Sequence, residues 1–276
     1  MPVQTVSERI MNARMYAVTP AVEAAWRSLL DEVTRTAGVE FSYFPYPAPQ
    51  PLEKLWARAD LGAVFMCGYP IALALSPVIP IAAPIALAPW AQGRAVYRTD
   101  LIVREEAPYR TLEDTFGARA GWTVEHSHSG FNALRHHLLA YRTPERASLY
   151  GEMHGNLITA RRVLDEVREG GIDVGPLDAY WHLLIRQHAP QLTAGVRVLA
   201  STALAPMPAF VAAASTPPET LARLRAAFVS AADQAWFAPL SQTLLLEGFA
   251  AVTSETYAPL LQWDRAARAA GFERPA

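Results

Sequence analysis

The sequence predicts an α/β protein made of two successive regions in which strands and helices alternate. Three observations carry that prediction. Short apolar runs bounded by Gly, Pro and polar residues alternate with stretches in which apolar residues recur at helical spacing. The order strand, helix, strand begins near Ala13 and begins again near Ala95. The chain has 276 residues, 51% of them hydrophobic and 18% charged, which suits a globular protein of one large or two ordinary domains with a substantial core.

In the first region Ala13 to Val18 reads as a strand, and Val22, Trp26, Leu29, Leu30 and Val33 mark the apolar face of a following helix. Thr19 suits the N-cap, Pro20 the first helical position, and Gly38 the stop. Val39 to Phe44 is expected as a strand, Leu52 to Ala57 as a short helix, and Leu61 to Met66 as a third strand ending in Cys67-Gly68-Tyr69-Pro70. This alternation implies a parallel sheet.

The second region opens with a strand over Ala95 to Arg104 and a short turn capped at Thr111-Leu112-Glu113-Asp114. Gly117 to Val124 follows as a strand, the polar segment Glu125 to Gly130 as a loop, and Phe131 to Ala140 and Asn156 to Glu169 as helices. Ile172 to Val174 is expected as a strand, Leu177 to His188 as a helix, and Val196 to Ser201 and Met207 to Ala214 as strands. Beyond these the pattern is helical from Pro217-Pro218-Glu219 through Ala232, over Pro239 to Glu247 and over Ser254 to Ala270, with no further strand of any length. The carboxy-terminal region is expected to pack back on the first unit.

Composition excludes several classes. Twenty-four Lys and Arg against 26 Asp and Glu leave a net charge of -2, with no electrostatic footprint for nucleic acid. A single cysteine, Cys67, rules out an internal disulfide and a cysteine-rich zinc site. Leu61 to Gly93 has no charged residue and is long enough to span a bilayer as a helix, but it holds Pro70, Pro77, Pro80, Pro84 and Pro89. Each proline removes a helix donor, so buried strands and tight loops are expected and direct membrane insertion is not. Met1 to Met15 carries Glu8 and Arg9 and has no apolar run of secretory length, so no export signal is read there. A periplasmic location is expected if a leader has been removed, and a cytoplasmic one otherwise.

The segment with the most chemistry is Glu125-His126-Ser127-His128-Ser129-Gly130-Phe131, a small polar loop between a strand and a helix. Amides at a helix amino terminus and two hydroxyls suit an anion, and simple N-capping by Ser127 or Ser129 is the competing explanation. Tyr16 to Thr19, Cys67 to Tyr69 and Gly175 to Asp178 follow other strands, where ligands bind in open α/β sheets. His126, His128, His136 and His137 lie close in sequence, but adjacent histidines on a helix diverge by about 100° and lack the i, i+4 relation of a zinc pair. No metal or other cofactor is expected. Neither a G-x-S-x-G elbow nor a Gly-rich nucleotide loop is present, and His154, His126 and Cys67 remain unplaced as catalytic groups.

Tyr97 to Arg104, Thr111-Leu112-Glu113-Asp114, Gly117 to Trp122 and Ser127-His128-Ser129-Gly130 resemble the second lobe of phosphate and phosphonate ABC-transporter binding proteins. Val163 to Val167 with Gly171 to Tyr180, and Ala205-Pro206-Met207-Pro208, are similar to later segments of that family. The resemblance implies a two-lobed type II periplasmic-binding-protein fold with two crossover hinge strands, lobe one being 1–95 plus 204–276 and lobe two 96–203. It implies an interlobe ligand cleft in which Ser127, Ser129 and Gly130 hold an anionic head, Asp178 accepts from or faces a positive group, and Tyr16 and Tyr69 contribute from the opposite lobe. His128 stands where a small hydroxyl residue is usual, so a histidine that titrates near neutrality is expected to make affinity depend on pH.

The expected function is therefore capture of a small phosphonate- or phosphate-like anion for uptake through an ABC permease, without catalysis. The alternative is an enzyme or sensor on the same scaffold acting on a small aromatic or carboxylate ligand. A DNA-binding regulator would need a helix-turn-helix segment, and none is read.

Overall fold

A computed structural model of the chain describes residues 9–275, so part of the Met1 to Met15 segment searched for an export signal lies outside the described residues. Strand β1 (Arg9–Asn12) comes earlier than expected, and Arg14–Tyr16 forms a 3-10 turn in place of the expected Ala13 to Val18 strand. Asn12 is the reason: its carboxamide oxygen accepts from the amide of Arg14 at 2.9 Å and its nitrogen donates to the carbonyl of Phe44 at 2.8 Å. Such a side-chain turn ends the strand.

Helix α1 (Pro20–Ala37) starts and stops as the sequence predicts. The Thr19 hydroxyl accepts from the Val22 amide at 3.3 Å, and Gly38 closes the helix in the left-handed conformation at φ 63°. β2 (Phe41–Tyr43), α2 (Leu52–Trp56) and β3 (Leu61–Met66) follow. The expected loop at Cys67 to Pro70 is instead the start of helix α3 (Gly68–Ala72). Gly68 is needed there because a β-carbon would lie 2.6 Å from the Tyr257 ring. β4 (Val78–Ala86) completes the uncharged stretch.

Next come β5 (Val96–Tyr97) and β6 (Thr99–Arg104), where one strand was expected. After β7 (Arg119–Gly121), a π-helical turn over His128–Asn132 runs directly into α4 (Ala133–Leu138). β8 (Glu152–His154) has no counterpart in the sequence reading. α5 (Ala160–Glu169) begins four residues later than expected, capped by the Thr159 hydroxyl. β9 (Val174–Asp178), α6 (Ala179–His188), α7 (Pro190–Thr193), β10 (Val196–Ser201), β11 (Ala205–Pro206) and β12 (Ala209–Ala213) follow. The chain continues through α8 (Pro218–Val229), α9 (Phe237–Leu244), β13 (Leu246–Ala251) and α10 (Pro259–Ala269). β13 overturns the expectation of an all-helical tail: Leu245, at φ 52°, turns the chain out of α9 straight into a strand.

These elements form two compact units. The first comprises, among the described residues, 9–67, Ala74–Ala95 and Met207–Thr256. Its sheet has the order β13-β4-β12-β3-β1-β2, with β2, β1 and β3 parallel and β12, β4 and β13 antiparallel, so it is mixed and not the parallel sheet expected. Pro80 and Pro84 lie inside β4, an interior strand, and the ladders on both sides are irregular beside them. Phe65 of β3 stacks on Phe210 of β12 at 3.8 Å, and Trp26 of α1 meets Phe65 edge-on at 5.1 Å.

The second unit comprises Gly68–Leu73, Val96–Pro206 and residues 257–275. Its sheet has the order β10-β6-β9-β7-β8, in which β9, β7 and β8 are parallel and β6 runs antiparallel to β9 and β10. β5 and β11 pair separately as an antiparallel ribbon. Residues 68–73, 204–206 and 257–275, expected with lobe one, pack in this second unit. The tail thus divides: β12 to β13 return to the first unit, while α10 joins the second.

Candidate functional site

In the second unit the parallel strands β7, β8 and β9 bring their carboxyl ends to one edge of the sheet, the edge at which ligands bind in open α/β sheets. The segments leaving that edge are tied together through the backbone. Trp122 donates to the His154 carbonyl at 3.0 Å, Leu157 to Trp122 at 3.1 Å, and Ile158 to Thr123 at 3.2 Å. Thr123 in turn donates to the Gly130 carbonyl at 3.1 Å. From β6, the Thr99 hydroxyl donates to the Ser129 carbonyl at 3.1 Å, and Thr99 pairs with Asp178 at the end of β9.

Ser127 opens the helical run as its N-cap: its hydroxyl accepts from the Gly130 amide at 3.0 Å, and its carbonyl accepts from the Asn132 amide at 3.0 Å. Both explanations of this loop are therefore compatible, since the capping serine builds the turn whose first amides and Ser129 hydroxyl carry the partial positive character of a helix start. Insertion of a π-helical turn at this point is a feature common at functional sites. Gly130 is required for close approach, because a β-carbon there would sit 2.9 Å from the Thr123 β-carbon and closer still to its hydroxyl. That hydroxyl is buried and has no hydrogen-bond partner among the described residues.

Gly130→Ala is accordingly expected to cost about 1–3 kcal/mol of stability through overpacking and to displace the turn. Urea unfolding checks this, and adding Thr123→Ala, which removes the clashing hydroxyl, is expected to restore part of the loss.

His128 points into the unit. It is 1% exposed, lies between Tyr97 and Trp263 at ring distances of 6.0 and 5.1 Å, and its Nδ1 accepts from the side-chain Nδ2 of Asn132 at 3.4 Å. Burial, reinforced by His136, pulls its pKa down to about 3. The expected titration near neutrality is thereby corrected: a desolvated ring facing an N–H donor stays neutral from pH 5.5 to 8.

Asp178 is the N-cap of α6, one oxygen accepting from the amides of Tyr180 and Trp181 at 2.9 and 3.0 Å. Tyr16 belongs to the first unit, where it is buried edge-on against Phe65 at 5.0 Å. Tyr69, expected opposite the serine loop, instead lies in the second unit, where its hydroxyl bonds with Asp264 and Arg268. The structure thus gathers Ser127, His128, Ser129, Gly130 and Asp178 in one unit together with Tyr69. Sequence reasoning missed Thr99, Thr123 and Ile158, whose places depend on strand neighbours distant in sequence.

Cations near the loop are already committed. Arg135 and Arg268 pair with Asp264, and Arg274 pairs with Glu125 at 2.6 Å. Those last groups line a hollow of about 440 Å³ with Tyr69, Phe131 and Glu273. Among the described residues no cluster of three or more His, Cys, Asp or Glu side chains is placed to hold a metal. His154 pairs with Glu152 at 2.7 Å in the second unit, whereas Cys67 is buried in the first.

Two α/β units, each with a mixed sheet and each assembled from three separate stretches of chain, are the architecture of the type II periplasmic-binding-protein fold. Solved structures share it over nearly the whole chain. A binding protein component of an ABC phosphonate transporter from Pseudomonas aeruginosa matches with a TM-score of 0.78 at 15% identity, over 96% of this chain and 88% of that one. The PhnD1 protein of Prochlorococcus marinus, in complex with methylphosphonate, matches at 0.76 and 14% identity, over 95% and 98%. A Xanthomonas citri protein bound to ATP matches at 0.64 and 18% identity, over 96% and 98%. No curated protein matches the sequence. The chain belongs to the family of periplasmic substrate-binding proteins of phosphonate ABC transporters, whose model matches residues 17–257. It is a substrate-binding transport component and not an enzyme, and family membership implies a small-molecule ligand and an ABC permease as partner. Among the described residues no helix is long and apolar enough to cross a membrane.

Proposed function

We propose that this protein captures a small oxyanion of the phosphonate or phosphate class on the Ser127–Gly130 turn and delivers it to an ABC permease in the periplasm. The observation that carries this reading is the turn itself. Ser127 caps it, Thr99 holds the Ser129 carbonyl, and Gly130 packs without a side chain against Thr123, so the turn's amides and hydroxyls are set before any ligand arrives. The nearby guanidinium groups are held by Asp264 and Glu125, so recognition rests on hydrogen bonds from neutral donors at a helix start. Asp178 ties β9 to α6 beside Thr99 and fixes the neighbouring edge of the site.

Titration calorimetry with methylphosphonate and inorganic phosphate tests the proposal. Saturable binding by the wild type is expected, weakened about 10- to 100-fold in Ser129→Ala, the range for losing a hydrogen bond to a charged group. Binding of neither oxyanion, or binding insensitive to Ser129→Ala and Ser127→Ala, overturns it. Adipate is the comparison ligand: preference for it over both phosphorus oxyanions points to a carboxylate-binding protein on the same scaffold.

A further inference from the structure

We propose that Ile158 is a specificity-determining residue of the oxyanion site, its side chain packing against the organic substituent of the bound ligand. This rests on the oxyanion reading of the Ser127–Gly130 turn. Ile158 follows β8 at the ligand edge of the sheet, and it is joined to the turn through a single residue: its amide donates to the Thr123 carbonyl, and the Thr123 amide donates to the Gly130 carbonyl.

Two properties of Ile158 are each unfavourable for an isoleucine. Its φ is 68°, a left-handed conformation in which a β-branched side chain crowds the backbone. Its side chain is large, apolar and 47% exposed. Glycine or asparagine would remove both penalties, and Asn156, at φ 58° two residues earlier, shows this same loop using asparagine where the conformation alone matters. The strain is held in place from both sides. Leu157 is bonded to Trp122, Gly155 lies against the Trp122 ring, and Thr159 is committed to capping α5. A strained, exposed apolar residue imposed by its surroundings beside a polar turn is the arrangement found at ligand clamps. A phosphorus oxyanion on the turn would direct its carbon substituent away from the amides, and Ile158 supplies apolar surface there. The preferred ligand class is then an alkyl- or aryl-substituted oxyanion over bare phosphate.

Calorimetry on the full chain tests this with inorganic phosphate, methylphosphonate and n-butylphosphonate, comparing wild type with Ile158→Gly and Ile158→Asn. Thermal unfolding run in parallel is expected to show both variants as stable as wild type or more so. Affinity for phosphate is expected to stay within about threefold, while n-butylphosphonate binding falls about tenfold, as for two methylenes losing apolar contact. Loss of affinity by the same factor for all three ligands, or no change for any, overturns the inference while leaving the oxyanion reading in place. Failure of the wild type to bind any of the three overturns both.

Discussion

Asp264→Ala is expected to lower the unfolding free energy by about 3–5 kcal/mol, because it strands a fully buried guanidinium without its counter-charge. Arg135 is 0% exposed. It donates to an Asp264 oxygen, to the Glu273 carbonyl at 2.9 Å and to the Asn132 side chain at 3.3 Å, and its guanidinium lies 4.9 Å from the Phe131 ring centre. Burial by itself would raise the Asp264 pKa, but hydrogen bonds from Arg135, Arg268 and Tyr69 outweigh it and hold the carboxylate below its ordinary value. Asn132 also donates to the Leu260 carbonyl at 3.0 Å, so this network fastens α4 and the serine turn to α10. Urea unfolding followed by circular dichroism measures the loss. Removing Arg268, whose side chain is 53% exposed, is expected to cost only about 0–1 kcal/mol. Equal effects from the two variants would show that burial does not set the strength of this network. The double variant Arg135→Met with Asp264→Leu is expected to recover much of the loss, since it leaves no unpaired charge.

Acidification is expected to weaken the fold through His128 well above the pH at which most carboxylates protonate. The folded-state pKa is pulled to about 3 from an ordinary value of 6.5. Below pH 6.5 the unfolded chain binds a proton that the folded chain refuses, so stability falls as pH drops and continues to fall towards pH 3. Between pH 7 and 4.5 this amounts to about 2–3 kcal/mol. His136 and His137 are also lowered by burial and add in the same direction. Comparing urea midpoints of wild type and His128→Met at both pH values isolates the contribution. An unchanged pH dependence in the variant would mean that the ring protonates without disturbing its pocket. Ligand affinity, by contrast, is expected to stay flat from pH 5.5 to 8 so far as His128 is concerned.

Much of the architecture was legible because its signals are local. Thr19, Pro20 and Gly38 bound α1 through hydrogen bonds and backbone preferences confined to a few neighbouring residues. Leu61–Met66 and Val196–Ser201 appear as strands over the residues that the apolar runs predicted. The serine loop was legible for the same reason, since Ser127 caps a turn only three residues away. Elsewhere a partner distant in sequence decides the structure. β1 ends at Asn12 because its side chain reaches Phe44, and β8 exists because β7 offers it a parallel edge. β13, whose sequence continues the apolar pattern of α9, becomes a strand by pairing with β4.

The α/β class, the two-part organisation, the absence of a continuous spanning helix in Leu61 to Gly93 and the serine-capped turn opening at Ser127 all follow from the sequence alone. Caps, prolines and apolar periodicity act within a few residues, and they act the same way in any context. Tertiary structure alone decided that α10 joins the second unit, that Tyr69 bonds with Asp264 there, that His128 is buried and neutral, and that Ile158 is held in a left-handed conformation beside the turn. Each of these depends on desolvation or hydrogen bonding by residues far away in the chain, and such effects come into being only when folding brings the partners together.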